Sequence, residues 1–171
     1  MPEFDIEAAK KEMEPWYWWG IPTFFKSDYG SIEQLNDYQI GVFGIPMDTG
    51  VCNRFGARLG PAAIRKASTW FNPSANPKQG TMIDLFQRQK AIAFNFPEIL
   101  DLGDVTIFPT DYPRTLESIE TFSYEVAKRA FPVILGGDHS LTYPVVKGLV
   151  KGLQEKKAVR HTGNYSFRQP L

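Results

Sequence analysis

The sequence predicts an α/β fold built on a mainly parallel sheet. Residues 99–105 and 131–135 are short apolar segments with the composition of strands. Between them, residues 113–130 carry apolar side chains at helical spacing, with most of the charged side chains outside that stripe. A strand, a helix and a second strand in this order are typical of the right-handed crossover between parallel strands. At 171 residues, one domain spanning 1–171 is expected.

The first half of the chain is expected to supply a short helix, an aromatic cluster and a first central strand. Residues 6–14 are charged and favour a helix. The four aromatic residues at 16–19 are expected to pack in the core of the domain, and an interface between subunits is the alternative. Residues 38–45 read as the strand, which Pro46 ends. A loop rich in glycine and polar residues follows at 47–60.

A second helix is predicted from about 61 to 70, because proline follows glycine at its first turn. Its apolar positions recur at helical spacing and should face the core, with Arg65 and Lys66 on the other side. The apolar positions are Ala63, Ile64, Ala67 and Trp70. Residues 72–80, which contain two prolines and a glycine, predict a surface loop.

Asp101 and Asp104 flank a glycine near the end of the strand predicted at 99–105. Turn formation by aspartate beside glycine explains both residues without any chemistry. The alternative is a pair of catalytic carboxylates. The turn is the favoured interpretation.

The most informative segment is 132–140, which reads PVILGGDHS. Its apolar half indicates a strand covered on both faces of a parallel sheet. Gly136 and Gly137 end that strand, and they allow positive φ angles and a close approach of the backbone. The residues that follow are therefore expected to turn sharply into a crevice, at the strand ends where open α/β sheets bind ligands.

His139 is the residue in that crevice that can bind a metal ion, although the residues alone favour a structural histidine bonded to nearby backbone. Asp138 is expected to orient the turn or to support the ligand beside it, and a plain N-cap or a salt-bridge partner is the alternative. Ser140 is expected to N-cap the next helix.

Composition excludes several classes of protein. Acidic and basic residues balance at 19 each with no block of one sign, so neither nucleic acid nor a membrane surface is expected as a partner. There is no apolar run of membrane-spanning length and no signal-peptide pattern at the N-terminus. One cysteine, Cys52, fits a reducing compartment, so a cytoplasmic protein is expected. The absence of GxGxxG after the first strand argues against a Rossmann-type nucleotide binder.

Three segments together resemble the ureohydrolases, the family of arginase, agmatinase and guanidinobutyrase. They are GIPMDTGVCNRFGARLGPAAIRKAS at 44–68, DLGDV at 101–105 and PVILGGDHSLTYPVV at 132–146. The loop NRFGARLGP is similar to the agmatinase branch, and the opening WWGIPTFF is similar to guanidinobutyrase or guanidine hydrolase relatives. The resemblance extends over about residues 16–150.

This resemblance implies a three-layer α/β/α, arginase-like fold, trimeric or hexameric assembly, and two Mn²⁺ ions, with Ni²⁺ as an alternative. The implied reaction cleaves a small guanidinium compound, such as agmatine, 4-guanidinobutyrate or guanidine, to urea and an amine. Two cations would lower the pKa of a bridging water from about 16 toward neutrality. His139 matches the family's first metal ligand, and Asn53 lies in the loop that borders the substrate entrance. Arg54 and Arg58 in the same loop are expected to fasten it through carbonyls or carboxylates.

The later ligand motifs of the family, DAHxD and SxDxD, are absent from this sequence. The fold is therefore expected to be incomplete at its C-terminal half, and residues 160–171 form a tail that does not match the family. One imidazole does not retain a dinuclear centre, so this chain is expected to be inactive alone. The alternative is a non-catalytic variant that associates with full-length subunits.

Overall fold

The computed structural model describes residues 5–13, 18–71, 81–83, 91–93 and 98–162. Its strands are β1 (Asp28–Tyr29), β2 (Ile40–Gly44), β3 (Thr81–Ile83), β4 (Ala91–Ala93), β5 (Ile99–Asp104) and β6 (Phe131–Leu135). Its helices are α1 (Ile6–Met13), α2 (Gly60–Ser68), α3 (Tyr112–Arg129) and α4 (Thr142–Thr162). In the described residues, no helix is both long enough and apolar enough to cross a membrane.

The centre of the fold is a four-stranded parallel sheet in the order β1, β5, β2, β6, while β3 and β4 form a separate antiparallel pair. The predicted α/β class with a mainly parallel sheet is therefore confirmed. Strands β2, β5 and β6 and helix α3 lie within two residues of their predicted ends. The crossover β5–α3–β6 passes over β2, so the last two strands in the chain are not neighbours in the sheet.

The core lies between the sheet and α3. Phe43 and Ile45, from β2 and the residue after it, are fully buried together with Ile119 and Val126 of α3. The ring of Phe43 lies 5.0 Å from that of Phe122, in a tilted aromatic contact. Burial of one helical stripe against central strands is what the sequence pattern of 113–130 predicts.

Helix α4 packs closely on α3 because two glycines lie at the contact. A Cβ atom on Gly148 would lie 2.2 Å from the backbone oxygen of Glu120, and one on Gly152 would lie 2.6 Å from that of Tyr124. Such distances leave no room for a side chain. Lys147 and Lys151 then form ion pairs with Glu120 across the same contact.

Helix α2 forms at the predicted place but faces the opposite way. Arg65 is buried in it, whereas all four apolar positions expected in the core are exposed, namely Ala63, Ile64, Ala67 and Trp70. The prediction that Arg65 lies on the outer side is therefore wrong. A specific ion-pair network holds the arginine inward, and this outweighs the hydrophobic pattern of nine residues.

That network joins α2 to β5. The Arg65 guanidinium donates to both carboxylate oxygens of Asp101, at 2.8 and 3.0 Å, and to Asp104 Oδ1 at 2.6 Å. Asp101 also accepts from the backbone N–H of Phe24 at 2.8 Å and of Gly103 at 2.9 Å. The contact with Gly103 is the predicted turn, but Asp101 is also a strand residue with no solvent exposure, and the sequence interpretation missed its pairing with Arg65. Asp101 is therefore unavailable as a catalytic carboxylate.

The last strand and the N-terminal aromatic residues are more exposed than expected. Phe131 is 68% exposed, and 132–134 are only half-buried, so the prediction that β6 is covered on both faces is wrong. Trp18 and Trp19 are 58% and 40% exposed and meet edge to face, so the prediction that they pack in the core is also wrong. The other two aromatic residues of that cluster and the loop predicted at 72–80 lie outside the described residues.

Candidate functional site

The structure places His139 at the carboxyl end of the parallel sheet. β6 ends at Leu135, two glycines follow, and His139 begins a short 3₁₀ turn that leads into α4. The imidazole is exposed, and its Nδ1 lies 3.4 Å from the hydroxyl of Thr142. It lines a cavity of about 390 Å³ between β6, the turn and the first residues of α4. The walls are mostly apolar, formed by Ile45, Ile134, Leu141 and Val145, and the polar groups are His139, Asp138 and Thr142.

Gly137 is required for the approach of this turn to the loop after β2. A Cβ atom at Gly137 would lie 1.8 Å from the backbone oxygen of Met47, and the N–H of Asp138 donates to the same oxygen at 3.0 Å. The predicted close backbone approach is therefore present. Neither Gly136 nor Gly137 has a positive φ angle, so that part of the prediction is wrong.

Asp138 connects the His139 turn to the loop at 47–60. Its Oδ2 accepts from the N–H of Gly50 at 2.8 Å, and its Oδ1 accepts from the N–H and the hydroxyl of Ser140 at 2.7 and 2.5 Å. Partial burial acts against ionisation, but these hydrogen bonds from Ser140 and Gly50 hold the pKa of Asp138 below its ordinary value. Asp138 is the N-cap, and the prediction that Ser140 has this role is wrong.

The loop that follows β2 is closed by a second carboxylate. Asp48, which is buried, accepts from the N–H of Gly56 at 2.9 Å and from Nε of Arg58 at 2.7 Å. The Arg58 guanidinium holds the pKa of Asp48 down, at about 2. Arg58 thus fastens the loop through a carboxylate, as predicted. The sequence interpretation missed Asp48, because nothing in the local spacing marks it as the partner of Arg58.

Asn53 lies exposed in this loop and does not line the His139 cavity. The loop contacts the His139 turn through two hydrogen bonds, from the Gly50 N–H to Asp138 Oδ2 and from the Asp138 N–H to the Met47 oxygen. Cys52 is exposed, with its sulfur 4.0 Å from the backbone oxygen of Gly50. Neither residue contacts the imidazole, so the substrate role of Asn53 stays a prediction.

The donor set around His139 does not fit a dinuclear metal centre by itself. Within the part of the chain that the structure describes, no three His, Cys, Asp or Glu residues are grouped so that they could hold a metal ion. Asp138 lies beside His139, but hydrogen bonds already occupy both of its oxygens. The described residues therefore supply no complete ligand set around the His139 imidazole, and we derive no reaction step through a metal.

The sheet is parallel, and the cavity of His139 lies at the carboxyl ends of its strands. This arrangement is typical of the open-sheet α/β proteins that bind their ligands at this edge of the sheet. Within that class, the sequence model of the arginase family matches residues 38–161. The chain belongs to the arginase family. In general, that family's fold implies a binuclear metal site.

Two relatives show the range of proteins that the chain is similar to. It is 36% identical over 109 residues to a mitochondrial guanidino acid hydrolase of Homo sapiens, covering 63% of this chain and 28% of that protein. It is 31% identical over 131 residues to a guanidinopropionase of Pseudomonas aeruginosa, covering 76% of this chain and 37% of that protein.

Among solved structures, a hypothetical agmatinase from Burkholderia thailandensis superposes with a TM-score of 0.63 at 25% identity. The superposition covers 81% of this chain and 40% of that one. The chain therefore spans between about a quarter and two fifths of the length of the proteins it matches.

Proposed function

We propose that this chain carries part of the active site of a metal-dependent hydrolase that cleaves a guanidino compound to urea and an amine. Three relatives support the substrate class, since their names are guanidino acid hydrolase, guanidinopropionase and agmatinase. The family match over residues 38–161 supports the reaction type. Small guanidinium compounds, such as agmatine, 4-guanidinobutyrate or guanidine itself, are the proposed substrates.

The observation that carries the proposal is the position of His139. It is an exposed imidazole at the carboxyl end of a parallel strand, on the wall of a cavity large enough for a small molecule. Its backbone is fixed on both sides, by the packing of Gly137 against Met47 and by the N-cap of Asp138. A ligand held in place before the metal arrives binds with a smaller loss of conformational entropy.

In this proposal His139 is a ligand of one of two metal ions, Mn²⁺ or alternatively Ni²⁺. Asp138 keeps the turn in position, and Asn53 contacts the tail of the substrate from the loop at 47–60. We also propose a cytoplasmic homo-oligomer, with no nucleic acid or membrane as a partner. Because the described residues hold no group of three His, Cys, Asp or Glu side chains that could bind a metal ion, we expect these 171 residues to bind Mn²⁺ weakly and to release no urea by themselves.

A chimeric enzyme tests the proposal directly. Residues 38–161 of this chain replace the matched region of the P. aeruginosa guanidinopropionase, and urea release is measured with Mn²⁺ or Ni²⁺ and each candidate substrate. We expect urea release that is lost in His139→Ala and retained in Cys52→Ala, a substitution at an exposed residue of the nearby loop. A chimera that is equally active with and without the imidazole would refute the role of His139.

A second candidate function is a non-catalytic chain that associates with full-length subunits of a relative. The isolated metal donor favours it, because a chain without a complete ligand set can still present folded surfaces to a partner. Co-expression with the full-length guanidinopropionase, followed by size-exclusion chromatography, tests this candidate. Separate elution of the two chains would exclude it.

A further inference from the structure

We propose that the outer face of helix α2 is an interface between two copies of this chain, which pair through it about a two-fold axis. The face consists of the exposed positions of α2 and of the turns on either side of it. They are Leu59, Ala62, Ala63, Ile64, Lys66, Ala67 and Trp70. The inference rests on the proposed function only for the expectation of a homo-oligomer, and the pairing is measured without any catalysis.

Helix α2 has its polar side inside and its apolar side outside. Arg65 and Ser68, on the inner side, are both buried. The Arg65 guanidinium is bound to Asp101, and the Ser68 hydroxyl accepts from the N–H of Phe25 at 2.9 Å. Rotation of the helix to bury its apolar side would break these contacts and leave Asp101 buried without a countercharge. The fold therefore imposes the apolar outer face.

The area of this face is sufficient for a weak and specific dimer. Leu59 and Trp70, at its two ends, are 66% and 67% exposed, and Ile64 is 43% exposed. Since an aromatic side chain alone buries about 150–250 Å², the face offers roughly 500 Å² per copy, and a pair would bury about 1,000 Å². That area is the lower limit for a specific interface between proteins. The dimer is therefore expected to dissociate on dilution.

The order of large and small side chains along the face favours a second copy as the occupant. The central row is Leu59, Ala63, Ala67 and Trp70, spaced four, four and three residues apart. When two such helices pack antiparallel, Leu59 lies against the partner's Trp70. Ala63 then lies against the partner's Ala67, and the small side chains let the two helices approach. Reciprocal contacts of this kind are the property of a two-fold interface.

Charge does not oppose this pairing. Acidic and basic residues balance over the whole chain, so two copies do not repel each other at long range. Lys66 is the one charged residue among the seven of the face, and it lies beside the central row. Its apolar stem can cover the partner while the ammonium group stays in water.

Sedimentation equilibrium of the 171-residue chain tests the pairing. We expect the mass to rise with protein concentration from that of a monomer to that of a dimer. Ala67→Glu should weaken dimerisation at least tenfold, because each dimer would bury two carboxylates without partners. Val146→Glu, at an exposed position of α4, should leave the dissociation constant unchanged. Both substitutions are at exposed helical positions, so both variants should keep the circular dichroism spectrum of the natural protein.

Disulfide trapping tests the antiparallel register. In a Cys52→Ser background, chains with Leu59→Cys are mixed with chains with Trp70→Cys and mildly oxidised. We expect the mixture to form a cross-linked dimer. Neither variant alone should do so, because equivalent positions at the ends of the face lie about 16 Å apart along the helix axis, too far for a disulfide.

The outcomes separate this inference from the proposed reaction. His139→Ala should leave the dimer unchanged, so a dimer whose chimeric enzyme releases no urea would count against the proposed reaction alone. The interface proposal is overturned if the chain stays monomeric, or if Val146→Glu weakens dimerisation as much as Ala67→Glu does. It is also overturned if Leu59→Cys cross-links to itself as readily as to Trp70→Cys.

Discussion

Replacement of Arg65 by alanine tests the energetic centre of the described fold. Arg65 and Asp101 are both buried, and the guanidinium donates to both oxygens of that carboxylate. In Arg65→Ala, Asp101 keeps only its two backbone donors, from Phe24 and Gly103. A buried carboxylate would then have no countercharge, because the hydrogen bonds that remain supply only dipoles.

Removal of one partner from a buried ion pair costs about 3–5 kcal/mol of unfolding free energy. The upper part of that range applies here, because Arg65 also donates to Asp104 and to the backbone oxygen of Gly103 at 2.7 Å. With a urea m-value of about 2 kcal/mol/M, a loss of about 4–5 kcal/mol should lower the unfolding midpoint by about 2–2.5 M. Lys66→Ala, at the neighbouring exposed position, should change the unfolding free energy by less than about 0.5 kcal/mol.

Urea unfolding followed by tryptophan fluorescence and circular dichroism measures both variants. The double substitution Arg65→Met and Asp101→Leu removes both buried charges, and we expect it to recover part of the loss. Recovery is incomplete because the partly exposed Asp104 loses its partner, and the N–H groups of Phe24 and Gly103 lose their acceptor. A midpoint shift below about 0.5 M for Arg65→Ala would refute the reasoning. So would a double variant that is less stable than Arg65→Ala.

Three further predictions concern pH, packing and the loop beside His139. The pKa of Asp48 is lowered from 3.8 to about 2, so its stabilising contribution is complete above about pH 4 and is lost as the pH falls toward 2. The stability difference between the natural protein and Asp48→Asn should therefore shrink as the pH falls through this range. Urea midpoints measured across the range test this. Gly148→Ala should lower the free energy of unfolding by about 1–3 kcal/mol, because the added Cβ clashes with the backbone oxygen of Glu120 and this outweighs the gain of about 1 kcal/mol in helix propensity. Gly136→Ala, where a Cβ would meet open space, is the control and should leave the free energy of unfolding nearly unchanged. Asp138→Ala should speed hydrogen exchange of the Gly50 amide at least tenfold, whereas Asp37→Ala at an exposed site should not.

Most of the sheet could be predicted from the sequence because the strands that cross the core are short and apolar. β2, β5, β6 and α3 depend on patterns of hydrophobic residues that hold over five to eighteen positions. The edge position of β6 is a property of the whole sheet. It depends on which other strands pair with β6, and the composition of the five residues of β6 does not predict this.

The orientation of α2 could not be predicted, because two acidic residues far along the chain decide it. Asp101 and Asp104 lie 36 and 39 positions after Arg65, and the three residues form one ion-pair network. A helical pattern reports only the sequence of the helix. The burial of Arg65 could have been predicted only by comparing two distant segments, an aspartate within a buried strand and an arginine with no acidic partner in its own helix.

The candidate site was predictable in its turn and its histidine but not in its surroundings. Gly137 and His139 follow directly from the local pattern at the end of β6. The hydrogen bonds from the Gly50 N–H to Asp138 and from Arg58 Nε to Asp48 join groups that meet only after the loop folds. These bonds fix the loop at 47–60 beside the His139 turn, although no local spacing rule predicts them.

The metal content of the chimeric guanidinopropionase, measured by elemental analysis of the purified protein, tests the central claim most directly. The account predicts about two Mn²⁺ ions per subunit with His139 present, and clearly fewer in His139→Ala under identical conditions. Equal metal content in the two proteins would contradict the claim that this imidazole binds a metal ion.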